Sequence, residues 1–304
     1  PKDDPYDHLE AGYGYNDWVE RKDLLPPRGL ITYSVSGFEI KDPTFLFGRH
    51  IRKAQMNIID GDGGTGKSSL VLALAAAGSI GYDPIFDTKG HEPFKTLYFG
   101  GEDDPGDLRW VYEKMGGQDD YLHVFQDNLS LTTSNLRLVK ETILDGDFKM
   151  VVFDALLYYL NGVAKDMNSM MDLIVPLHNL RNVAMDTGCA IVNLRHTGKG
   201  KDGAPISEKG VGSVQVRNSH RSQLVMQFHP DLENNYGVRI VTHEKGSMRV
   251  EKALPFGWQF NSDGVIEWLG PIDDKVLRMK EKDLGEHHSK VEAAYSRIVQ
   301  MCSQ

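Results

Sequence analysis

Residues 61–68 form a glycine-rich stretch that limits the folds open to this chain. They read Gly-Asp-Gly-Gly-Thr-Gly-Lys-Ser and match the pattern G-x-x-x-x-G-K-[ST]. The apolar residues 56–59 precede this stretch, and residues 70–77, which are rich in helix formers, follow it. We therefore predict a strand, a tight glycine loop and the start of a helix, which is the setting in which this pattern binds phosphate. The alternative is a glycine-rich turn that matches by chance.

The chemistry expected of this loop follows from that geometry. Its four glycines are expected to take positive φ and to bring backbone N–H groups against phosphate oxygens, at the positive end of the new helix. In this pattern the lysine reaches the β- and γ-phosphates, and the following serine ligates Mg²⁺. The predicted site for ATP and Mg²⁺ consists of Gly61, Asp62, Gly63, Gly64, Thr65, Gly66, Lys67, Ser68 and Ser69.

Composition sets the outer bounds. The 304 residues suffice for one large domain or two small ones, and 40% hydrophobic with 25% charged residues is ordinary globular composition. A net charge of −9 argues against a broadly basic surface, so any nucleic acid would have to bind a local patch or a pore lined by a few loops. We see no long apolar run, no leader and no C-x-x-C pair, and we expect a cytoplasmic protein without membrane contact.

Three regions are predicted along the chain. Residues 1–30 are interpreted as an arm or small subdomain, residues 31–270 as the core, and residues 271–304 as a charged, helical tail. Strand patterns at 31–35 and 44–48 suggest a hairpin that leads into the core.

Two acidic residues follow predicted core strands. Residues 96–99 read as a strand that runs into an acidic segment, and Glu102 is placed as the water-activating base, at the end of a strand beside the phosphate-loop strand. The alternative is an acidic turn that caps a helix near Pro105. A helix at 136–144 then leads to the buried strand 149–154, whose terminal Asp154 is predicted to hold Mg²⁺ through water as a Walker B carboxylate.

The next unit repeats the helix and strand pattern. A helical face over 173–184 contains Pro176, which must kink the helix or lie in its first turn, and Gly188 closes it. A strand over 189–194 follows, and His196 at its end is either a sensor of the γ-phosphate or a plain surface histidine.

The second half opens with a loop over 198–212. This loop is rich in glycine and lysine, and we interpret it as a grip on a phosphate backbone through Lys199, Lys201 and Lys209; the alternative is a solvated flexible loop. A short helix over 213–221 and a strand over 223–228 come next. The strand is expected to pair with 236–243, and residues 256–260 and 265–269 form a closing hairpin.

These motifs together resemble a known family. The quoted segments are GDGGTGKSS, YFGGEDDP, MVVFD, IVNLRHTGKG and GSVQVRNSHRS, in that order. They resemble the RecA-like ATPases of the RepA type, the hexameric replicative helicases of plasmids and their relatives in phages and mobile elements. The resemblance covers residues 30–270 and leaves both ends unmatched.

The resemblance implies roles residue by residue. Lys67 and Ser68 would bind phosphate and Mg²⁺, Glu102 would be the catalytic base, Asp154 the Walker B carboxylate and His196 the γ-phosphate sensor. Arg221, nine residues after Gly212, matches the arginine that such rings insert into a neighbour's site. Arg217 and His220 stand where the family carries apolar or small residues, so the choice among Arg217, Arg221 and Arg239 stays open. Lys245 resembles a second lysine that acts on the neighbour.

The predicted fold is α/β: a RecA-like P-loop NTPase core with a central, mostly parallel β-sheet flanked by helices and a closing β-hairpin. The predicted function is a homo-oligomeric ring of six that binds ATP between subunits and pulls single-stranded DNA through pore loops at 161–170 and 198–212. A primase or other replication protein is a possible further partner. The alternatives are a recombination or repair ATPase that forms filaments, and an ATP-gated loader or regulator that acts through protein contacts.

Overall fold

The computed structural model describes residues 34, 36, 40, 42–101, 103–164, 166, 169–197, 214–229, 237–246 and 251–272. The chain divides into two compact units, Pro1–Asp42 and Pro43–Gln304. In the first unit four positions are described, and the hydroxyls of Ser34 and Ser36 lie 2.8 Å apart. The predicted region boundaries after residues 30 and 270 stay predictions.

All regular elements of the described residues lie in the second unit. The strands are β1 Phe45–Phe47, β2 Ile51–Arg52, β3 Gln55–Gly61, β4 Tyr82–Asp83, β5 Thr88–Lys89, β6 Lys95–Gly100, β7 Leu122–Phe125, β8 Phe148–Asp154, β9 Ala190–His196, β10 Ser222–Phe228, β11 Arg239–Lys245, β12 Phe256–Phe260 and β13 Ile266–Pro271. The helices are α1 Lys67–Ser79, α2 Pro105–Lys114, α3 Thr133–Gly146, α4 Leu156–Leu160, α5 Met170–Thr187 and α6 Val214–Ser219.

A nine-stranded sheet organises this unit, in the order β13-β12-β11-β10-β3-β9-β8-β6-β7. The six strands from β10 to β7 run parallel, and β11, β12 and β13 follow as an antiparallel extension. Parallel strands are typical of a sheet covered by helices on both faces, and their near-continuous apolar sequences agree with that burial. The predicted α/β fold, the mostly parallel sheet and the closing hairpin β12–β13 are confirmed.

The predicted neighbour of the phosphate-loop strand was wrong. We placed the strand that leads to Glu102 beside β3, but β9 and β8 lie between β3 and β6. Parallel strands need long crossover connections, and a crossover of that length can pass over several positions in the sheet. The hydrophobic pattern identifies a strand but not its neighbours. The carboxyl ends of β3, β9, β8 and β6 nevertheless meet at one edge.

Smaller elements also differ from the predictions. The segment at 44–48 forms β1, but β1 pairs with β2, while most of residues 31–35 lie outside the described part. Strand β7 adds an edge to the sheet that the sequence pattern did not reveal, because its four residues are only half-buried or exposed. Pro176 lies inside α5 beyond the first turn, and Gly188 ends that helix with a φ of 74° as expected.

Two apolar layers cover the faces of the sheet. One layer contains α1 and α2, and the other contains α3, α4 and α5. Helix α1 is buried along nearly its full length, since its alanines and Gly78 allow close packing; a Cβ at Gly78 would lie 2.4 Å from the Phe94 ring. The buried start of α1 fixes the loop that precedes it. None of the helices in the described residues combines the length and the apolarity that crossing a bilayer requires.

Candidate nucleotide-binding site

The loop between β3 and α1 has the geometry that anion binding needs. Gly64 and Gly66 take positive φ values of 75° and 92°. Helix α1 begins at Lys67 with no side-chain cap and no acidic residue in its first turn, so its N-terminal N–H groups face outward to an anion. The loop is closed by Thr65, whose hydroxyl donates to the Asp62 carbonyl over 2.8 Å.

The prediction that all four glycines take positive φ was wrong for two of them. Gly61 and Gly63 have ordinary φ values. Gly61 is required for space, because a Cβ there would lie 2.8 Å from the carbonyl oxygen of Met226 on β10. A Cβ at Gly63 would meet no atom within 4 Å, so neither sterics nor backbone conformation demands a glycine at that position in the nucleotide-free loop.

Lys67 folds back over its own loop. Its Nζ donates to the carbonyl oxygens of Gly61 and Asp62 over 2.8 and 2.9 Å. The side chain is almost completely buried, and this burial lowers the pKa of Lys67, while the nearby carboxylates of Asp154, Asp62 and Asp60 oppose the shift. The ammonium group is thus held by two charge-assisted hydrogen bonds to loop carbonyls, and a phosphate oxygen, which carries charge, would be a stronger acceptor in their place.

One of the two predicted magnesium ligands contacts a residue that we did not predict. Tyr98 on β6 donates from its hydroxyl to Oδ2 of Asp154 over 2.5 Å. Burial, followed by the charge of Asp154, raises the pKa of Tyr98 well above its ordinary value, so the phenol stays a neutral donor. Hydroxyl and carboxylate oxygens are the ligands that Mg²⁺ prefers, so Ser68 in the first turn of α1 and Asp154 at the end of β8 fit the cation.

His196 ends β9 directly beside the phosphate loop. It pairs in register with Gly61, and its Nδ1 lies 3.3 Å from Nζ of Lys67. The neighbouring Thr197 donates its backbone N–H to the Gly61 carbonyl over 3.1 Å and its hydroxyl to the Asp62 carboxylate. The end of β9 therefore contacts both the loop and its lysine. The sensor role of His196 stays a prediction.

A buried polar network lies just behind the loop. Arg195 and Asp60 form a bidentate ion pair across β9 and β3, with distances of 2.7 and 2.8 Å. Gln223 on β10 donates to Oδ2 of Asp60 over 2.7 Å and accepts from Nε of Arg217 over 2.9 Å. Each charged group of the buried pair is thus satisfied by direct partners.

Arg239 contacts the same loop from the antiparallel side of the sheet. Its guanidinium lies about 5 Å from the ring centroids of Phe228, Trp258 and Phe260, and its Nε donates to the Thr65 carbonyl over 3.3 Å. Trp258 also packs on the loop, since a Cβ at Gly66 would lie 2.8 Å from its ring. Arg239 was one of three arginines considered for action on a neighbour. In this structure it packs against its own phosphate loop.

Arg221 lies at the other end of β3. Its backbone N–H donates to the Met56 carbonyl over 3.0 Å, near the start of the strand that carries the phosphate loop at its far end. Arg217 and Lys245 belong to the same cluster, because both arginines lower the pKa of Lys245, although burial has the larger effect. Nζ of Lys245 donates to the carbonyls of Arg217 and Asn218 over 3.1 and 3.3 Å.

Several predicted site residues lie outside the described part of the chain. These are Glu102, Lys199, Lys201 and Lys209. Of the acidic segment around Glu102, the described Asp104 accepts from the Gly106 N–H over 2.7 Å and caps α2. The capping interpretation thus holds for Asp104, and the catalytic interpretation of Glu102 stays a prediction.

Sequence reasoning missed Tyr98, the ion pair of Asp60 and Arg195, and the aromatic contacts of Arg239. The sequence does contain a signal for Tyr98 and for the ion pair. Asp60 and Arg195 are charged residues inside apolar strands, each one residue before a predicted site residue, and such a charge needs a buried partner. Tyr98 likewise brings a hydroxyl into an otherwise apolar strand end. Arg239 gave no such signal, since its aromatic partners come from two other strands, β10 and β12.

The fold and this site define the class of protein. A mostly parallel sheet carries a phosphate loop at the end of an interior strand, with a lysine, a serine and a strand-end carboxylate around it, and this is a P-loop NTPase core.

A family model described as an AAA domain matches residues 33–202, which is more than half of the 304 residues. The chain belongs to this AAA domain family and is an ATPase of the P-loop class; such a domain implies nucleotide binding, usually with Mg²⁺. No significant match to a curated protein is found.

Proposed function

We propose that this ATPase is the motor of a ring-forming DNA helicase of the RepA and RecA-like type, which translocates on single-stranded DNA during replication of a plasmid, phage or mobile element. The observation that carries the proposal is the position of Arg221. An arginine just before β10, at the end of the sheet opposite the phosphate loop, is suited to completing the site of a neighbouring subunit.

Distance argues that Arg221 does not act on its own nucleotide. From Met56, which its backbone contacts, to Gly61 the strand rises about 16 Å, at 3.3 Å per residue. The phosphates of a bound nucleotide would lie beyond Gly61, farther along the same direction. An arginine side chain cannot span that gap and still reach a γ-phosphate.

The surroundings of Arg221 are consistent with an anion supplied by a neighbour. The Arg221 side chain makes no hydrogen bond or ion pair within the described residues, and Arg221 and Arg217 both lie near enough to Lys245 to lower its pKa, although burial has the larger effect. The γ-phosphate of ATP in an adjacent subunit would supply the anion for Arg221, and Lys245 is proposed to assist as the second residue acting on the neighbour.

Within one subunit, the proposal assigns the remaining roles to the phosphate-loop edge. Lys67 binds the β- and γ-phosphates, Ser68 and Asp154 hold Mg²⁺, and Glu102 activates the attacking water. When bound, Mg²⁺ neutralises charge that develops on the phosphates. His196 reports the γ-phosphate through its contact with Lys67, 3.3 Å from Nδ1 to Nζ.

The connection from His196 to DNA is short. Strand β9 leads directly into the segment 198–212, where Lys199, Lys201 and Lys209 are proposed to hold the phosphate backbone in the pore together with the loop at 161–170. A change in the contact between His196 and Lys67 on hydrolysis would therefore be transmitted to the DNA-holding loop. Contacts to phosphate carry no base preference.

The test combines imaging with strand separation. Negative-stain microscopy of the ATP-bound protein, with and without single-stranded DNA, is expected to show closed rings, and wild type is expected to unwind a forked duplex in an ATP-dependent manner. The triple variant with Lys199, Lys201 and Lys209 changed to Ala should lose unwinding and show a flatter salt dependence of DNA affinity, because fewer counterions are released. Its DNA-independent ATPase rate should match wild type.

The same images separate the alternatives. Open filaments on single-stranded DNA, with no unwinding, would indicate a recombination or repair ATPase. Monomers under all conditions would indicate a regulator. Glu102→Gln serves as the inactive control, since loss of a general base lowers turnover by roughly 10²–10⁴.

A further inference from the structure

We propose that Tyr98 is a positioning residue for hydrolysis, whose hydroxyl holds the predicted magnesium ligand Asp154 in one orientation. The inference rests on the P-loop ATPase class of the chain and on the predicted role of that carboxylate. It does not depend on the helicase proposal.

The backbone brings the phenol to the carboxylate. Strands β6 and β8 are neighbours in parallel register, with Tyr98 opposite Val152 and Gly100 opposite Asp154. Asp154 lies two residues beyond Val152, so the phenol extends toward the carboxyl end of the strands to meet it, and the distance from its hydroxyl to Oδ2 is 2.5 Å. No other hydrogen bond to the Asp154 carboxylate is found among the described residues.

The ring itself has no freedom to turn away. Tyr98 is completely buried, within the apolar layer that also contains α1 and Leu108 of α2. It lies against Gly100, where a Cβ would come within 2.7 Å of the ring. Glycine at position 100 thus provides the space for the ring, and the packed ring fixes the direction of the hydroxyl.

The hydroxyl orients the carboxylate of Asp154. The phenol O–H is donated to Oδ2, so this oxygen is held by a donor whose own direction is fixed by packing. The carboxylate at the end of β8 is thus held in one orientation for the cation that it is predicted to bind.

This arrangement matches how outer partners act at metal sites in general. A group that hydrogen-bonds a metal ligand fixes its orientation, and loss of such a group typically costs about 10–100-fold in metal affinity or activity. Phenylalanine can sterically replace Tyr98, since the ring contacts are apolar. Packing therefore accounts for the ring of Tyr98 but not for its hydroxyl.

The experiment compares Tyr98→Phe with Tyr112→Phe. Tyr112 is the matched control, because it is also buried and its hydroxyl donates to the Gln118 carbonyl over 2.9 Å, but on α2 and without contact to the phosphate loop. The affinity for a fluorescent ATP analogue is titrated in EDTA and at increasing Mg²⁺. Tyr98→Phe should bind as wild type in EDTA, and the Mg²⁺ concentration at half-maximal gain in affinity should rise by about 10–100-fold.

Two further readouts make the result decisive. Saturating Mg²⁺ should restore nucleotide binding in Tyr98→Phe, and Tyr112→Phe should follow the wild-type Mg²⁺ curve throughout. An unchanged Mg²⁺ midpoint in Tyr98→Phe would overturn the proposal. Weakened binding in EDTA would also overturn it, because the hydroxyl would then support the loop itself and not the metal ligand.

Discussion

Gly66 and Gly63 stand three residues apart in the phosphate loop, yet the structure demands glycine at only one of them. Gly66 has a φ of 92° and lies under the Trp258 ring, so both its backbone and its missing side chain are used. Gly63 has an ordinary φ and open space around it. The same residue type thus has a structural reason at position 66, and at position 63 only the approach of a phosphate can require it.

This contrast leads to a prediction for the nucleotide-free protein. Gly66→Ala forces a left-handed alanine against a buried ring, and strain of this kind costs of order 1–3 kcal/mol. The free energy of unfolding, measured in urea without nucleotide, should fall by that amount, while Gly63→Ala should change it by less than about 0.5 kcal/mol. Equal losses in both variants would contradict the steric account.

At the scale of elements, one buried ion pair joins the two strands that carry the site. Asp60 precedes Gly61 on β3, and Arg195 precedes His196 on β9. Their bidentate contact therefore keeps the carboxyl ends of the two strands in register. Gln223 extends the contact to β10. The position of the phosphate loop relative to the predicted sensor is therefore fixed by this ion pair. The pair is almost completely excluded from water, since the side-chain exposure is 0% for Asp60 and 2% for Arg195.

Removal of one charge from this pair should be costly. Asp60→Asn leaves Arg195 buried without its counter-charge, and a broken buried pair costs roughly 3–5 kcal/mol. The matched control is Asp186→Asn, which removes the exposed pair of Asp186 with Lys140 between α5 and α3. An exposed pair contributes about 0–1 kcal/mol. Urea unfolding of the two variants gives both values, and a loss in Asp60→Asn no larger than in the control would refute the account.

At the scale of the whole molecule, the two ends of the parallel strands carry different functional residues. Lys67, Asp154 and His196 lie at the carboxyl edge of the parallel strands, and the cluster of Arg221, Arg217 and Lys245 lies at the opposite edge. Under the ring proposal, each ATP site is completed by the far edge of the next subunit. Mixed assemblies can test this separation.

Arg221→Ala alone should lower ATP turnover by roughly 10³–10⁵, the range for loss of an arginine finger, while ATP binding persists. When the Arg221→Ala protein is mixed with the Lys67→Ala protein, ATP turnover should return. Some interfaces then combine the intact pocket of an Arg221→Ala subunit with the intact arginine of a Lys67→Ala subunit. Turnover plotted against mixing ratio should peak near equal amounts, after dissociation, reassembly and proof of co-assembly by a tag. A flat profile in proven mixed assemblies would exclude Arg221 and leave Arg217 to be tested in the same way.

Arg239→Ala supplies the control arginine for that experiment. Arg239 packs on its own phosphate loop through Thr65 and Trp258, so its loss impairs the pocket of the same subunit. Mixing it with Lys67→Ala combines two defective pockets, and no peak is expected. A peak there would assign Arg239 to the neighbour's site.

Local sequence determined the parts of this protein that depend on neighbours in the chain. The phosphate loop, the strand that ends in Asp154 and the position of His196 were readable, because glycine spacing and apolar runs encode backbone conformation over a few residues. The helix capped by Asp104 and the end of α5 at Gly188 were readable for the same reason.

The tertiary structure decided what depends on residues far apart in the chain. Periodicity gives a strand but not its neighbour, so the separation of β6 from β3 by two strands was not predictable. The contact of Tyr98 with Asp154 joins residues 56 positions apart, and the contact of Arg239 with Thr65 joins residues 174 positions apart. Such pairs are selected by packing in three dimensions, and no local pattern in the chain records which distant side chain will meet which.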